Sequence, residues 1–203
     1  MNHVNRLSCP IPDDCYLAFS GGADSLGALG FLLQGRRHVE LLHFNHGTNS
    51  SDTFQAHSEN IARDLGLVIH TACIPNHGCP PLNRSFEDWW RECRYDFFDR
   101  FDDRPIITAH HLDDCVETYV FNTLHGKKGN IGITRGNVIR PFLRFRGSHL
   151  KSFAPSNMRH IEDPSNQDLR FNRNRIRHKV VPELLQVNPG LHKIVLRSME
   201  DVC

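Results

Sequence analysis

The chain has 203 residues, 39% of them hydrophobic, with 24 Lys+Arg against 23 Asp+Glu for a net charge of +1, which suits one domain with a small appendage and a packed core. No stretch approaches the ~18 apolar residues of a membrane span, and the polar start Met1 to Arg6 has no signal-peptide core, so membrane and exported classes are set aside for a cytoplasmic protein. Seven cysteines without a CxxC pair read as reduced thiols and count against a disulfide framework, a zinc site or an iron–sulfur ligand set.

The first apolar run, Cys15 to Phe19, predicts a strand over Tyr16–Ser20, and Asp24–Gln34 reads as a helix. Between them lies Ser20-Gly21-Gly22-Ala23-Asp24-Ser25. Adjacent glycines let backbone N–H groups approach an anion, and a helix starting beside them adds unpaired N–H groups and a positive dipole end. The segment therefore suits the phosphates of a nucleotide. Gly22 and Gly27 have Walker A spacing, but Ala28-Leu29 stands where Lys-Ser/Thr is required, and no GxGxxG is present.

Further strands are expected at His38–Asn45, Leu67–Ile74, Pro105–Ala109 and Asn137–Phe142, with helices at Asp52–Leu65, Ser85–Phe101 and Leu112–Leu124. The alternation predicts an α/β fold: a doubly wound parallel sheet of about five strands with helices on both faces and a short helical C-terminal extension. The catalytic body is expected over 1–165 and a basic helical extension over 166–203. In such sheets ligands bind beyond the carboxyl ends of the strands. SGGADS, Asn45-His46-Gly47 and His110-His111-Leu112-Asp113-Asp114 all fall there. Phe86, Trp89, Trp90, Cys93, Phe97 and Phe101 form one helical stripe, read as core. Pro75–Arg84 and the Gly- and Lys-rich Gly126–Gly136 read as flexible loops, the second as a lid or RNA clamp.

Asp114 and Glu117 lie i,i+3 near a helix start, where two carboxylates could hold Mg²⁺ or orient and deprotonate an amine. A His/Asp metal cluster is the competing reading of HHLDD. Charge is segregated. Residues 1–117 hold 9 Lys/Arg and 17 Asp/Glu, whereas residues 118–181 hold 13 and 3. The basic block points to a polyanion such as nucleic acid, or to an internal complement of the acidic half.

SGGADS resembles the signature of the PP-loop ATP pyrophosphatases, whose adenine nucleotide alpha hydrolase-like fold splits ATP between its α and β phosphates. The ordered series SGGADS, Phe44-Asn45-His46-Gly47, Arg91-Glu92-Cys93-Arg94-Tyr95, TAHHLDDCVET, Ile139-Arg140-Pro141, Glu162-Asp163-Pro164-Ser165-Asn166 and Arg173-Asn174-Arg175-Ile176-Arg177-His178 closely resembles the tRNA(Ile)-lysidine synthetase family over about residues 15–182. The resemblance is to that family's catalytic N-terminal domain only. It implies adenylation of C2 of the wobble cytidine in a CAU anticodon, then displacement of AMP by the ε-amine of free lysine. By the same resemblance, Ser20, Gly21, Gly22, Asp24 and Ser25 form the ATP site, with Asp24 bearing on Mg²⁺. Asn45, His46 and Gly47 border the nucleotide, and Asp114 and Glu117 serve lysine or metal. Arg94, Arg173 and Arg175 neutralise adenylate or tRNA phosphates. Lys127, Lys128 and Arg135 are the candidate tRNA contacts of the glycine-rich loop.

Two departures stand out. The family's His-Gly-Leu-Arg is His46-Gly47-Thr48-Asn49 here, without the basic residue. The chain stops at Cys203, before the C-terminal domains familiar in that family, so either a minimal body suffices, or a homodimer or partner protein supplies the grip on tRNA, or the target is different. The alternatives are a PP-loop enzyme with another nucleophile, such as a tRNA thiolase, and a non-catalytic ATP- or RNA-binding module.

Overall fold

A computed structural model describes residues 5–48, 50–74 and 85–200. The predicted loop Pro75–Arg84, together with Asn49 and residues 201–203, lies outside the described residues.

The elements run β1 (Asp14–Ala18), α1 (Ala23–Gln34), β2 (His38–Asn45), α2 (Ser51–Leu65), β3 (Ile69–Cys73), α3 (Phe86–Phe98), β4 (Ile106–Ile107) and α4 (Leu112–Leu124). There follow β5 (Thr134–Arg135), β6 (Val138–Ile139) and α5 (Gly147–Lys151). After a 3₁₀ turn at Pro164–Gln167, a helical run comprises α6 (Asn172–Arg175), a π turn (Ile176–Val180) and α7 (Val181–Val187), and α8 (Leu191–Glu200) ends the description. The sheet order is β3-β2-β1-β4-β6-β5, parallel except for β5, which pairs antiparallel with β6. The doubly wound α/β expectation holds, with six strands instead of about five.

The extra strand comes from the Gly126–Gly136 loop, which closes as a hairpin edge. Its glycines and lysines carry no strand pattern. Tertiary contacts hold it instead: Arg140 N–H donates to Ile133 O at 2.9 Å, and the Arg140 guanidinium donates to Gly132 O at 2.8 Å. β4 and β6 are also shorter than expected, because hydrophobicity marks burial but not where a ladder stops.

Successive side chains of a strand point to opposite faces. In β1 and just beyond it, Cys15, Leu17 and Phe19 bury against α1 and α2 residues such as Leu26, Leu29, Ile61 and Ala62. Tyr16 instead buries with Tyr95, Phe97 and Phe98 of α3. A strand covered on both faces reads as a continuous apolar run, as β1 does. The α3 stripe is core at Phe97 and Phe101, but Phe86 is 53% exposed and Trp90 borders cavities. A third cluster joins Leu112, Cys115, Val116 and Val120 of α4 to Ile176, Leu191, Val195 and Leu196, so the C-terminal helices share apolar packing with the body. Asp113 pins this junction, accepting from His192 at 2.7 Å, from Gly147 N–H at 2.7 Å and from Arg146 at 3.0 Å.

α5 lies across α1 at close range. A Cβ on Gly27 would run into the Leu150 carbonyl, and one on Gly30 into the Phe153 carbonyl. Gly30→Ala should therefore destabilise. The helix-propensity gain of about 1 kcal/mol is outweighed by an overpacking loss of about 1–3 kcal/mol, because a backbone carbonyl has no rotamer to escape into. Urea unfolding should show a lower midpoint, and an unchanged midpoint would mean the two segments are not in contact.

Candidate active site

The strand order reverses between β1 and β4, and both of their carboxyl-end loops open into one crevice. The loop after β1 turns at Gly21, whose φ of +76° favours glycine, and where a Cβ would stand 3.0 Å from Ser58 Oγ. Ser25 Oγ donates to Gly22 O at 2.9 Å and lies 3.2 Å from Ser20 Oγ. Gly22 N-caps α1 without a side-chain cap, so the first N–H groups of that helix have no side-chain oxygen across them. An anion completes such an arrangement.

Asp24, in the first turn of α1, lies 3.3 Å from His111 Nε2 and 3.4 Å from Lys151 Nζ. Burial works against its charge, but the His111 and Lys151 contacts hold its carboxyl below the usual range. His111 is also the N-cap of α4. Asp114 Oδ2 accepts from His111 N–H at 2.9 Å, which completes a capping box. The His111 ring is only 8% exposed, yet contact with Asp24 and the charges of Asp114 and Asp113 raise its pKa despite burial.

Glu117 is held by Arg177, whose Nε and Nη2 donate to its two oxygens at 2.6 and 2.8 Å. The same Nη2 stands 3.4 Å from Asp114 Oδ1. Burial raises the Glu117 carboxyl, and the guanidinium pulls the other way. Arg177 comes from the π turn, an irregularity often found at functional positions.

A cavity of about 450 Å³ lies between these groups. Ser20, Asp24 and Ser25 line one side, His110, Asp114 and Arg177 another, and Arg94 and Tyr95 of α3 a third, over an apolar floor that includes Phe19 and Leu42. A second cavity of about 930 Å³ passes Gly22, Asn45, Thr48, Trp90, Asp163 and Arg170. A third, of about 230 Å³, is ringed by Asp88, Trp90, Arg91, Arg94 and Arg173. His46 borders all three and lies 5.6 Å from the Trp90 ring, centroid to centroid. Burial and the nearby Arg94 charge push His46 down to about 4. Burial likewise takes His110 to about 4. Both imidazoles are neutral at neutral pH, so the positive charge lining the first cavity comes from Arg94 and Arg177, with Lys151 beside Asp24.

The crevice thus brings together Ser20, Asp24, Ser25, His46, Arg94 and Asp114. Glu117 stands behind Arg177. The Asn45 amide donates to Asp52 and Gln55, each at 2.9 Å, and its oxygen accepts from Gly47 N–H at 2.8 Å, so its side chain builds the β2–α2 turn. Arg173 borders the third cavity, whereas the exposed Arg175 donates to Leu169 O at 3.4 Å and borders none of the three. Lys127 and Lys128 are exposed, and Arg135 lies 3.7 Å over the Tyr95 ring. Sequence reasoning singled out neither Arg177 nor Lys151, read Trp90 as core, and named His111 only within the HHLDD segment. The motif RNRIRH contained Arg177, but spacing did not select it from its neighbours. Among the described residues no group of three or more His, Cys, Asp or Glu could hold a metal ion, so the His/Asp cluster reading finds no site. A lone Asp24 suits an ion that arrives with phosphates, since Mg²⁺ takes few protein ligands there.

The basic block of residues 118–161 divides. Arg140 is buried and donates to Tyr95 at 2.9 Å, Arg146 binds Asp113, and Lys151 faces Asp24. Arg146 and Lys151 thus complement acids of residues 1–117, Arg140 is engaged by Tyr95 and the Gly132 carbonyl, and Lys127 and Lys128 stay outward.

A family model described as the PP-loop domain matches residues 5–184. The chain is 33% identical over 201 residues to tRNA(Ile)-lysidine synthase of Legionella pneumophila (strain Paris), covering 90% of this chain and 45% of that protein. It is 27% identical over 212 residues to tRNA(Ile)-lysidine synthase of Francisella tularensis subsp. tularensis (strain SCHU S4 / Schu 4), covering 98% and 52%. The chain therefore spans about half the length of the curated relatives it matches. Among solved structures, the U34-tRNA thiolase NcsA from Methanococcus maripaludis with its [4Fe-4S] cluster superposes with a TM-score of 0.70 at 14% identity, over 100% of this chain and 73% of that one. At that identity the likeness is one of fold.

Removing Arg177 should strand the half-buried Glu117 carboxylate. Arg177→Met should cost about 1–3 kcal/mol, and Arg177→Met with Glu117→Leu should recover much of it, because no charge is left unpaired. Chemical denaturation of the four-member cycle reads this. Additive losses would mean that the two groups do not interact.

Proposed function

The chain belongs to the PP-loop domain family, and on that premise we propose that it joins lysine to C2 of the wobble cytidine of a CAU-anticodon tRNA(Ile), releasing AMP and pyrophosphate. The observation that carries this reading is the pairing of Asp114 with Arg177 across one cavity from Ser20, Asp24 and Ser25. Free lysine brings a carboxylate and a nucleophilic ε-amine, and the cavity offers a guanidinium for the first and a carboxylate for the second.

Ser20, Gly21, Gly22 and Ser25 would hold the ATP phosphates, with His46 and the backbone at Asn45 and Gly47 bordering the nucleotide. Asp24 would hold Mg²⁺ brought by ATP, an ion that neutralises phosphate charge when bound. Asp114 orients the lysine amine and takes its proton as the amine attacks C2 and AMP leaves. Glu117 fixes Arg177 so that the guanidinium stays aimed at the substrate carboxylate. Arg94 and Arg173 face the adenylate and the incoming RNA phosphates, and Arg175, Lys127, Lys128 and Arg135 serve tRNA from the outer surface. A cytoplasmic location accords with this work. Residues 1–165 would carry the chemistry and the basic extension 166–203 would help grip RNA.

A thiolation reading would ask for a sulfur-handling residue at the crevice. The five described cysteines, Cys9, Cys15, Cys73, Cys93 and Cys115, border none of the three cavities, and burial pushes Cys15 up to about 11.

The test is mass spectrometry of the anticodon nucleoside after incubation with tRNA, ATP and lysine, with product analysis of the ATP. Lysidine, AMP and pyrophosphate are expected. ADP as the main product, or a thiolated nucleoside, would overturn the reading. Asp114→Asn should slow lysine transfer by about 100-fold, the scale of a lost proton acceptor, while adenylate formation falls far less. Equal loss of both half-reactions would assign Asp114 to the ATP step instead.

A further inference from the structure

The loop that would take the phosphates has no cation of its own. From Asp14 to Gly35 there is no Lys or Arg, and the charged residue of the loop is the acidic Asp24. Walker-type loops carry a lysine in their own sequence for the outer phosphates. Here Lys151, the last residue of α5, stands in that neighbourhood, its Nζ 3.4 Å from Asp24 Oδ1. It arrives through backbone packing, because Gly27 and Gly30 leave α1 bare where the chain at Leu150 and Phe153 crosses it.

Two details set this contact apart from an ordinary surface ion pair. Asp24 keeps a second partner in His111 at 3.3 Å, so its carboxylate remains compensated when the ammonium turns toward another anion. The Lys151 side chain is 49% exposed and meets Asp24 as an ion pair rather than a hydrogen bond, so the three donors of its ammonium stay open to another anion. We infer that Lys151 binds the β- and γ-phosphates of ATP and the departing pyrophosphate, supplying from α5 the cation that the loop lacks.

The inference rests on ATP being the ligand of the Ser20–Ser25 loop. As the cytidine O2 forms its bond to the α-phosphorus, the bond from that phosphorus to the bridging oxygen breaks. The electron pair stays on the pyrophosphate, where a fixed positive charge stabilises it. Gly27 and Gly30 then have a functional consequence, since they set how close α5 comes.

The experiment is calorimetric titration of the full chain with ATP, AMP and inorganic pyrophosphate, comparing wild type, Lys151→Met and Lys151→Arg. Lys151→Met should weaken pyrophosphate and ATP binding by about tenfold or more, the scale of a charge-assisted hydrogen bond. AMP affinity should be unchanged, and Lys151→Arg should retain most of the pyrophosphate affinity. Unaltered pyrophosphate binding by Lys151→Met would overturn the inference, as would an equal loss for AMP, which marks a structural role. A wild-type protein that binds neither ATP nor pyrophosphate would overturn it together with the ATP site. If the selective loss is seen but no tRNA is modified, the inference stands and the ligase reading falls.

Discussion

One buried imidazole joins the two loops on which the crevice depends. His111 caps α4 after β4, and it also reaches Asp24 at 3.3 Å in the loop after β1. Asp114 and Asp113 lie 3.4 and 3.8 Å away on its other side. Burial disfavours the charged form of this imidazole, and the three carboxylates around it favour that form and raise its pKa. The cluster fixes the separation between the phosphate loop and the start of α4. It thereby sets the width of the cavity between them.

The groups that hold this cluster come from late in the chain. α5 contributes Lys151 to Asp24, its N-cap residue Arg146 reaches Asp113, the π turn contributes Arg177 to Glu117, and α8 contributes His192 to Asp113. Each is positioned by packing rather than by charge alone. α5 is set by the bare face of α1, and the C-terminal helices by apolar contact with α4. Three acidic residues of α4 thus divide their work: Asp113 holds the scaffold, Asp114 faces the cavity, and Glu117 anchors an arginine that faces it too.

The electrostatics of the crevice are correspondingly uneven. His46 and His110 are neutral, because burial beside arginines disfavours their charge. Arg94 and Arg173 cluster with Arg91 around the smallest cavity, while Arg135 stacks on Tyr95. Net positive charge is thereby gathered on the α3 side, and the side of α4 presents Asp114 backed by Arg177. A polyanion and a zwitterion can be accommodated at different walls of the same opening.

The sequence by itself determined the fold class, the strand–turn–helix of SGGADS and the placement of three polar segments at the carboxyl ends of strands. Local backbone chemistry and the twofold and 3.6-fold periodicities carry that information. Tertiary structure alone decided which side chains meet. Asn45 became a turn-builder and Trp90 a cavity wall, while Arg177 rather than Arg175 faces the crevice. It also turned a structureless-looking glycine loop into a sheet edge through Arg140. The physical reason is the same each time. An arginine or lysine reads alike in a motif whether it points to solvent or to a carboxylate, and its direction is set by packing partners far away in the chain. Lys151 lay in a block read either as facing nucleic acid or as complementing the acidic half, and two glycines on α1 brought it to Asp24.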